Sequence, residues 1–176
     1  MVHARRDEPV TRLSTEFVKG YRKDLTVSVF DGKAQQQQQQ QHLKYRGSSI
    51  IVPRSYEEYM TGLMHKRDRC GECGMVFIYR QDGTLSFIMD NTHIDLDMVF
   101  VNSDNVIVDI QPAKARQDGV ISSTRPASYN IELMGGVCRE RGIQVGDRVH
   151  FDWHIPCSDS RGNGNDASGE EVCFKA

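Results

Sequence analysis

The stretch that decides the fold is Met75–Met89, MVFIYRQDGTLSFIM. Met75 to Tyr79 is apolar, Gln81-Asp82-Gly83 reads as a turn, and Thr84 to Met89 reads as the returning strand. Downstream the pattern stays β-like. Asp97 to Val101 and Val106 to Ile110 flank Asn102-Ser103-Asp104-Asn105, whose small polar residues suit a hairpin loop. Ser128 to Leu133 is a further strand. Gly135-Gly136 breaks it and opens a short helix to Arg141, which Gly142 ends as a C-terminal cap. Gly146-Asp147 turns the chain into a last strand, Arg148 to Trp153.

Upstream, Leu25 to Phe30 alternates apolar and polar residues before Asp31-Gly32, again a strand and a turn. Gln35 to Gln41 is a run of seven glutamines that cannot build a packed core and reads as a flexible surface insertion in a hairpin loop. Ser48 to Val52 is the strand that follows, ended by Pro53. Ser55 and Glu58 have capping-box spacing. Tyr56, Tyr59, Met60, Leu63 and Met64 then form an apolar stripe at helical spacing, with Gly62 inside it. Many short strands and two short helices predict a mainly β domain, a compact β-barrel or jelly-roll-like sandwich. The expected organisation is a polar N-terminal extension over 1–24, one β-rich domain over 25–153 and a mobile polar tail over 154–176.

Composition narrows the classes of function. Of 176 residues 38% are hydrophobic and 26% charged, enough for one sizeable core. A net charge of −2 gives no electrostatic reason to expect nucleic acid or an anionic membrane as partner. No apolar run approaches the roughly 20 residues that span a bilayer. The first 24 residues lack a signal-peptide core. Arg5, Arg6, Arg12, Lys19, Arg22 and Lys23 would suit a mitochondrial presequence, whereas Asp7, Glu8, Glu16 and Asp24 would not. A cytoplasmic protein is the expectation, with a mitochondrial one as the alternative. Five cysteines, Cys70, Cys73, Cys138, Cys157 and Cys173, suggest free thiols in a reducing compartment.

From Ser48 to Phe151 the chain resembles a widespread uncharacterised family, domain of unknown function 192. Several ordered blocks carry the resemblance. Ser55-Tyr56-Glu57-Glu58 leads into Gly62-Leu63-Met64, and Gly74-Met75-Val76-Phe77 follows. Phe87-Ile88-Met89-Asp90-Asn91-Thr92, Ile94-Asp95-Leu96-Asp97, Pro126-Ala127 and Ile131-Glu132-Leu133 continue it. Gly136 and Gly142-Ile143 through Gly146-Asp147-Arg148-Val149 complete it. The chain departs from the family pattern at Ile88, in place of Trp, and at Asp90, in place of Lys. It departs again at Asp95, in place of Pro, and at Lys66, in place of Arg. The resemblance implies a small β-rich barrel or jelly-roll-like domain and no established activity.

Two functional readings follow. The first is a non-catalytic ligand-binding or accessory module for a small molecule or a protein, without a cofactor. Its site lies where the Phe87-Ile88-Met89 strand end meets the Gly62-Leu63-Met64 helix end. Met64 and Met89 supply an adaptable apolar wall, and Asn91, Thr92 and Asp97 supply polar contacts. Asn91 and Thr92 can equally cap a turn. The second is a small hydrolase-like enzyme using Asp97 with His93 or Asp95, with metal assistance as an option. On an extended strand His93, Asp95 and Asp97 would share one face. Cys70-Gly71-Glu72-Cys73 is a lone C-x-x-C pair, complemented only by scattered cysteines and by His65, His150 and His154, so no metal is expected.

Overall fold

The computed structural model describes residues 24–33, 42–67 and 71–153. The glutamine run, Cys70 and the extensions before 24 and after 153 lie outside the described residues, and so do the expectations of mobility attached to them. Nine strands and two helices follow in the order β1 (Leu25–Phe30), β2 (Leu43–Ile51), α1 (Tyr56–Thr61), β3 (Cys73–Gly83), β4 (Ser86–Ile88) and β5 (Leu96–Val101). They continue as β6 (Ile107–Ala113), β7 (Val120–Ser122), β8 (Ala127–Met134), α2 (Val137–Arg141) and β9 (Arg148–Trp153).

Seven strands form one mixed sheet, ordered β6-β5-β8-β3-β2-β1-β9, while β4 and β7 pair as a separate ribbon. The expected barrel or jelly-roll-like sandwich is not what forms. The sheet is open, because its edge strands β6 and β9 share no ladder. Among the described residues they are joined by a single bridge, Val106–Arg148, and by backbone bonds at their ends, such as Ile107 N to Asp147 O at 2.9 Å. Strand periodicity reports which residues face a core; it does not report whether distant edges pair.

One further pairing departs from the expectation, and another was not addressed by it. Thr84 to Met89 does not return along β3; its central residues, Ser86 to Ile88, pair with Val120 to Ser122 instead. The strand β2 runs parallel to β3, with Ile51 beside Met75, because α1 carries the chain across between them. The other pairs of the main sheet are antiparallel.

The helix α1 starts as its capping signals require. Ser55 Oγ accepts from the Glu58 amide at 3.1 Å, and Glu58 Oε2 accepts from the Arg54 amide at 2.6 Å. It ends sooner than the apolar stripe suggests, because Gly62 takes φ 52° and closes it. Tyr56 consequently stays in solvent, whereas Tyr59 and Leu63 are buried. The Tyr59 hydroxyl donates to Ile78 O and accepts from Ile78 N at 2.8 Å, pinning α1 to β3 at the point where β3 leaves its register with β8.

Both faces of the central strands are buried. Phe77, Asn130 and Phe100 are register partners on one face. There Tyr59 of α1 and Phe87 of β4 contact Phe77 edge-on and tilted, at 5.2 and 5.3 Å between ring centroids. Tyr129 points to the opposite face and meets Phe151 of β9 at 4.8 Å. The strands β5 and β8 therefore read as near-continuous buried runs instead of alternating ones.

The start of β9 is fastened by Asp147. Its carboxylate accepts from Lys44 Nζ at 2.7 and 2.9 Å, from the Gly32 amide at 3.3 Å and from the Gln144 amide at 2.8 Å. Gly32 has to be glycine here, since a Cβ would sit 1.8 Å from the carbonyl oxygen of Gly146. Lys44 is only 10% exposed, so removing its partner leaves a largely buried ammonium unpaired. Asp147→Ala is expected to cost about 3–5 kcal/mol of unfolding free energy, measured by urea titration. A loss under about 1 kcal/mol would show that the pair is peripheral.

Candidate functional site

Four described residues other than glycine hold φ in the left-handed region: His65 at 63°, Asn91 at 54°, Asn105 at 60° and Arg116 at 56°. Asparagine tolerates this conformation; histidine and arginine adopt it at a cost of about 1–2 kcal/mol each. Three of the four meet at one place. The His65 amide donates to Asn91 O at 2.9 Å, and the Arg116 amide donates to Thr92 O at 3.0 Å. Three separate segments, the end of α1, the loop 89–95 and the turn 114–117, are thus stitched together by backbone bonds while their side chains face outward.

On that face Arg116 Nε and Nη2 both donate to His93 Nδ1, at 3.1 and 2.8 Å. Guanidinium has no acceptor, so Nδ1 must be bare and Nε2 must carry the ring proton. The rings of His65 and His93 lie 6.3 Å apart, tilted by 46°. Partial desolvation, then the charges of Arg116, Arg67 and His65, hold the His93 pKa below its ordinary value. The shift favours the neutral imidazole.

The residues expected at the binding site divide. Asn91 is exposed at the crown of the loop. Thr92 is buried beneath it, its amide donating to Met89 O at 3.1 Å and its hydroxyl to Asp90 O at 3.4 Å. Met89 is 1% exposed and belongs to the core, while Met64 is half-buried at the end of α1. Asp97 points elsewhere. Its oxygens accept from the Gly136 amide at 3.1 Å and from the Cys138 amide at 2.8 Å, capping the short helix α2.

The shared face expected of His93, Asp95 and Asp97 does not form. The strand β5 begins only at Leu96, so His93 and Asp95 lie in the loop before it. Asp95 accepts from Lys114 Nζ at 2.9 Å and from the Ala115 amide at 2.8 Å, His93 engages Arg116, and Asp97 serves α2. Among the described residues no three His, Cys, Asp or Glu side chains are grouped to hold a metal ion. Cys73 is disulfide-bonded, contrary to the expectation of free thiols, whereas Cys138 is free and buried. Burial, then the Asp97 carboxylate, raises the Cys138 pKa, which keeps it a thiol.

Sequence reasoning did not assign His65 and Arg116 to this face. Their meeting depends on α1 ending at Gly62 and on the turn after β6, and no local pattern joins the two. A separate cleft of about 170 Å³ is lined by Gly32, Lys33, Gln144, Val145, Gly146 and Asp147. The carboxylate at its base is already engaged by Lys44. A second buried polar pair lies on β8. Among the described residues the Oδ1 of Asn130 has no hydrogen-bond partner, and Glu132, two positions along the same strand, is buried with its pKa pushed up to about 8 by burial.

Residues 36–151 match the family domain of unknown function 192, described as Uncharacterized ACR. Two solved structures are similar. One is a Sinorhizobium meliloti 1021 protein proposed to be a transcription regulator. It aligns with a TM-score of 0.61 and 24% identity, over 76% of this chain and 98% of that one. The other is a protein of unknown function from Novosphingobium aromaticivorans DSM 12444. Its TM-score is 0.59 at 26% identity, over 71% of this chain and 83% of that one. The first likeness concerns the fold alone. No curated protein matches the chain.

Two measurements separate structural carboxyls from the outward face. Asp97→Ala leaves the Gly136 and Cys138 amides without an acceptor and is expected to cost about 1–3 kcal/mol in chemical denaturation. An unchanged midpoint would remove its capping role. Glu132 binds its proton more tightly folded than unfolded, so the unfolded chain loses that proton first as pH rises. Its contribution is complete below about pH 4.5 and declines as pH rises toward about 8. Stability should fall over that window by a few kcal/mol, and Glu132→Gln should flatten the fall. A pH profile identical in the variant would place the titration elsewhere.

Proposed function

We propose that this chain, which belongs to the domain-of-unknown-function family 192, serves as a non-catalytic ligand-binding module. Its contact face is formed by Met64, His65, Asn91, His93 and Arg116. The observation that carries this reading is the convergence of three left-handed residues on one outward surface. Backbone strain of this kind is held only where surrounding structure over-determines it, and it concentrates at ligand clamps and switch regions. Met64 supplies an apolar edge, Met89 packs behind the loop, and the Asn91 side chain can both donate and accept. Thr92 holds the loop's shape from beneath, and Asp97 acts at a distance by anchoring α2.

The competing hydrolase reading needs a carboxylate oriented on His93. The nitrogen it would use, Nδ1, is engaged by Arg116, and Asp95 and Asp97 are engaged elsewhere. A near-neutral chain charge likewise gives nucleic acid no electrostatic advantage as the ligand. No helix among the described residues is long and apolar enough to cross a membrane.

Amide-detected NMR on the full chain tests the location, with glucose, glycine, adenosine and inorganic phosphate as separate probes. Shifts should concentrate in 63–67, 89–93 and 114–117; a response confined to the Gly32 and Asp147 cleft would overturn it. Hydrolysis of p-nitrophenyl acetate and p-nitrophenyl phosphate should be equal for the native chain and His93→Ala. Turnover that the substitution abolishes would overturn the non-catalytic reading.

A further inference from the structure

We propose that the ligand group taken by this face is a phosphate-type oxyanion, held by the Arg116 guanidinium with the imidazoles of His93 and His65. The inference rests on the binding-face reading above and adds the chemistry of the ligand.

The pairing of Arg116 is the first reason. Two of its N–H groups are directed at a ring nitrogen, not at a carboxylate. A neutral acceptor orients the guanidinium without cancelling its charge. Because Nδ1 is the acceptor, the Nε2–H of His93 is the remaining ring donor, on an imidazole 6.3 Å from that of His65. The face therefore presents a fixed cation and a fixed N–H donor beside a second imidazole, a combination suited to tetrahedral oxyanions.

The surrounding charges agree. Arg67 and His65 follow the end of α1 and Arg116 lies in the turn after β6, and the interaction of each with His93 lowers its pKa. The carboxylate closest along the loop, Asp95, is drawn to Lys114 Nζ and the Ala115 amide. Asp90, next to Asn91, is exposed at the start of the same loop. The backbone supports the same conclusion. Holding His65 and Arg116 left-handed costs stability, and a merely structural turn would do as well with glycine at either position.

Protonating His93 turns Nδ1 from acceptor into donor. That breaks its bond to Arg116, releases the guanidinium toward solvent and adds a charge. Anion binding should consequently tighten as pH falls. Sulfate is the suitable probe, because its own charge is constant over the range.

The test is an NMR titration of the full chain with inorganic phosphate, phenyl phosphate, sulfate and acetate at constant ionic strength set by chloride. Saturable shifts are expected at His65, Asn91, His93 and Arg116 with the first three probes, and sulfate should bind more tightly at pH 5.5 than at pH 7.5. Arg116→Gly keeps the left-handed backbone, so its melting temperature should change little, while phosphate binding should weaken about tenfold or more, that is about 1.4 kcal/mol. His93→Ala should weaken it similarly and reduce the pH dependence of sulfate binding.

Unsaturable phosphate shifts, acetate binding as tight as phosphate, or phosphate binding untouched by both substitutions would each overturn the oxyanion assignment. Shifts on this face from glucose, glycine or adenosine with none from phosphate would sink the oxyanion alone and leave the binding face standing. Silence from every probe would sink both.

Discussion

The Asp147 carboxylate gathers Lys44 from β2, the Gly32 amide from the turn after β1 and the Gln144 amide from the turn after α2. Its backbone oxygen takes the Ile107 amide at the start of β6. Segments from both edges of an open sheet are thereby held at one point. An open sheet with two buried faces needs such a fastening, since nothing in a ladder stops its ends from separating. Keeping β9 in place keeps Phe151 on Tyr129, and so keeps one face of the central strands dry. The absence of a side chain at Gly32 makes the approach sterically possible.

The opposite face is covered differently, and that difference positions the candidate site. The helix α1 and the β4–β7 ribbon lie over Phe77 and Phe100, and neither belongs to the main sheet. The end of α1 and the loop leaving β4 meet at the rim of this cover. Their outward residues have no core to pack, so their conformations are set by backbone bonds across segments. Such bonds can hold His65 and Arg116 in conformations that neither would choose alone. The same rim brings imidazoles and a guanidinium together, and His93 Nδ1 is taken by Arg116.

Several parts of this architecture are legible in local sequence. The cap at Ser55, the alternation of Leu25 to Phe30, the hairpin around Asn102 to Asn105 and the stop at Gly142 depend on residues within one turn of each other. The end of α1 and the loop after the Met89 strand are joined by the His65–Asn91 bond, a contact between residues 26 positions apart that no local pattern specifies. The partners of Thr84 to Met89 were not legible either. Phe87 would face a core whether it paired with β3 or with Ile121 of β7, so its alternation is silent about its neighbour. Asp97 shows the same limit. Its position in β5 is readable, but the two amides it caps arrive from a helix some forty residues later.

By itself, then, the sequence determined both helices and eight of the nine strands, because period, capping and turn chemistry act over a few residues; it missed β7 and read as a turn the Gln81-Asp82-Gly83 stretch that ends β3. Tertiary structure alone decided that the sheet stays open, that β2 and β3 run parallel, and that His93 turns to Arg116 instead of Asp95 or Asp97. Each of those outcomes is a choice among distant partners of comparable local fitness. The choice is made by the packing of the whole domain, where one residue's best contact depends on where every other strand has gone.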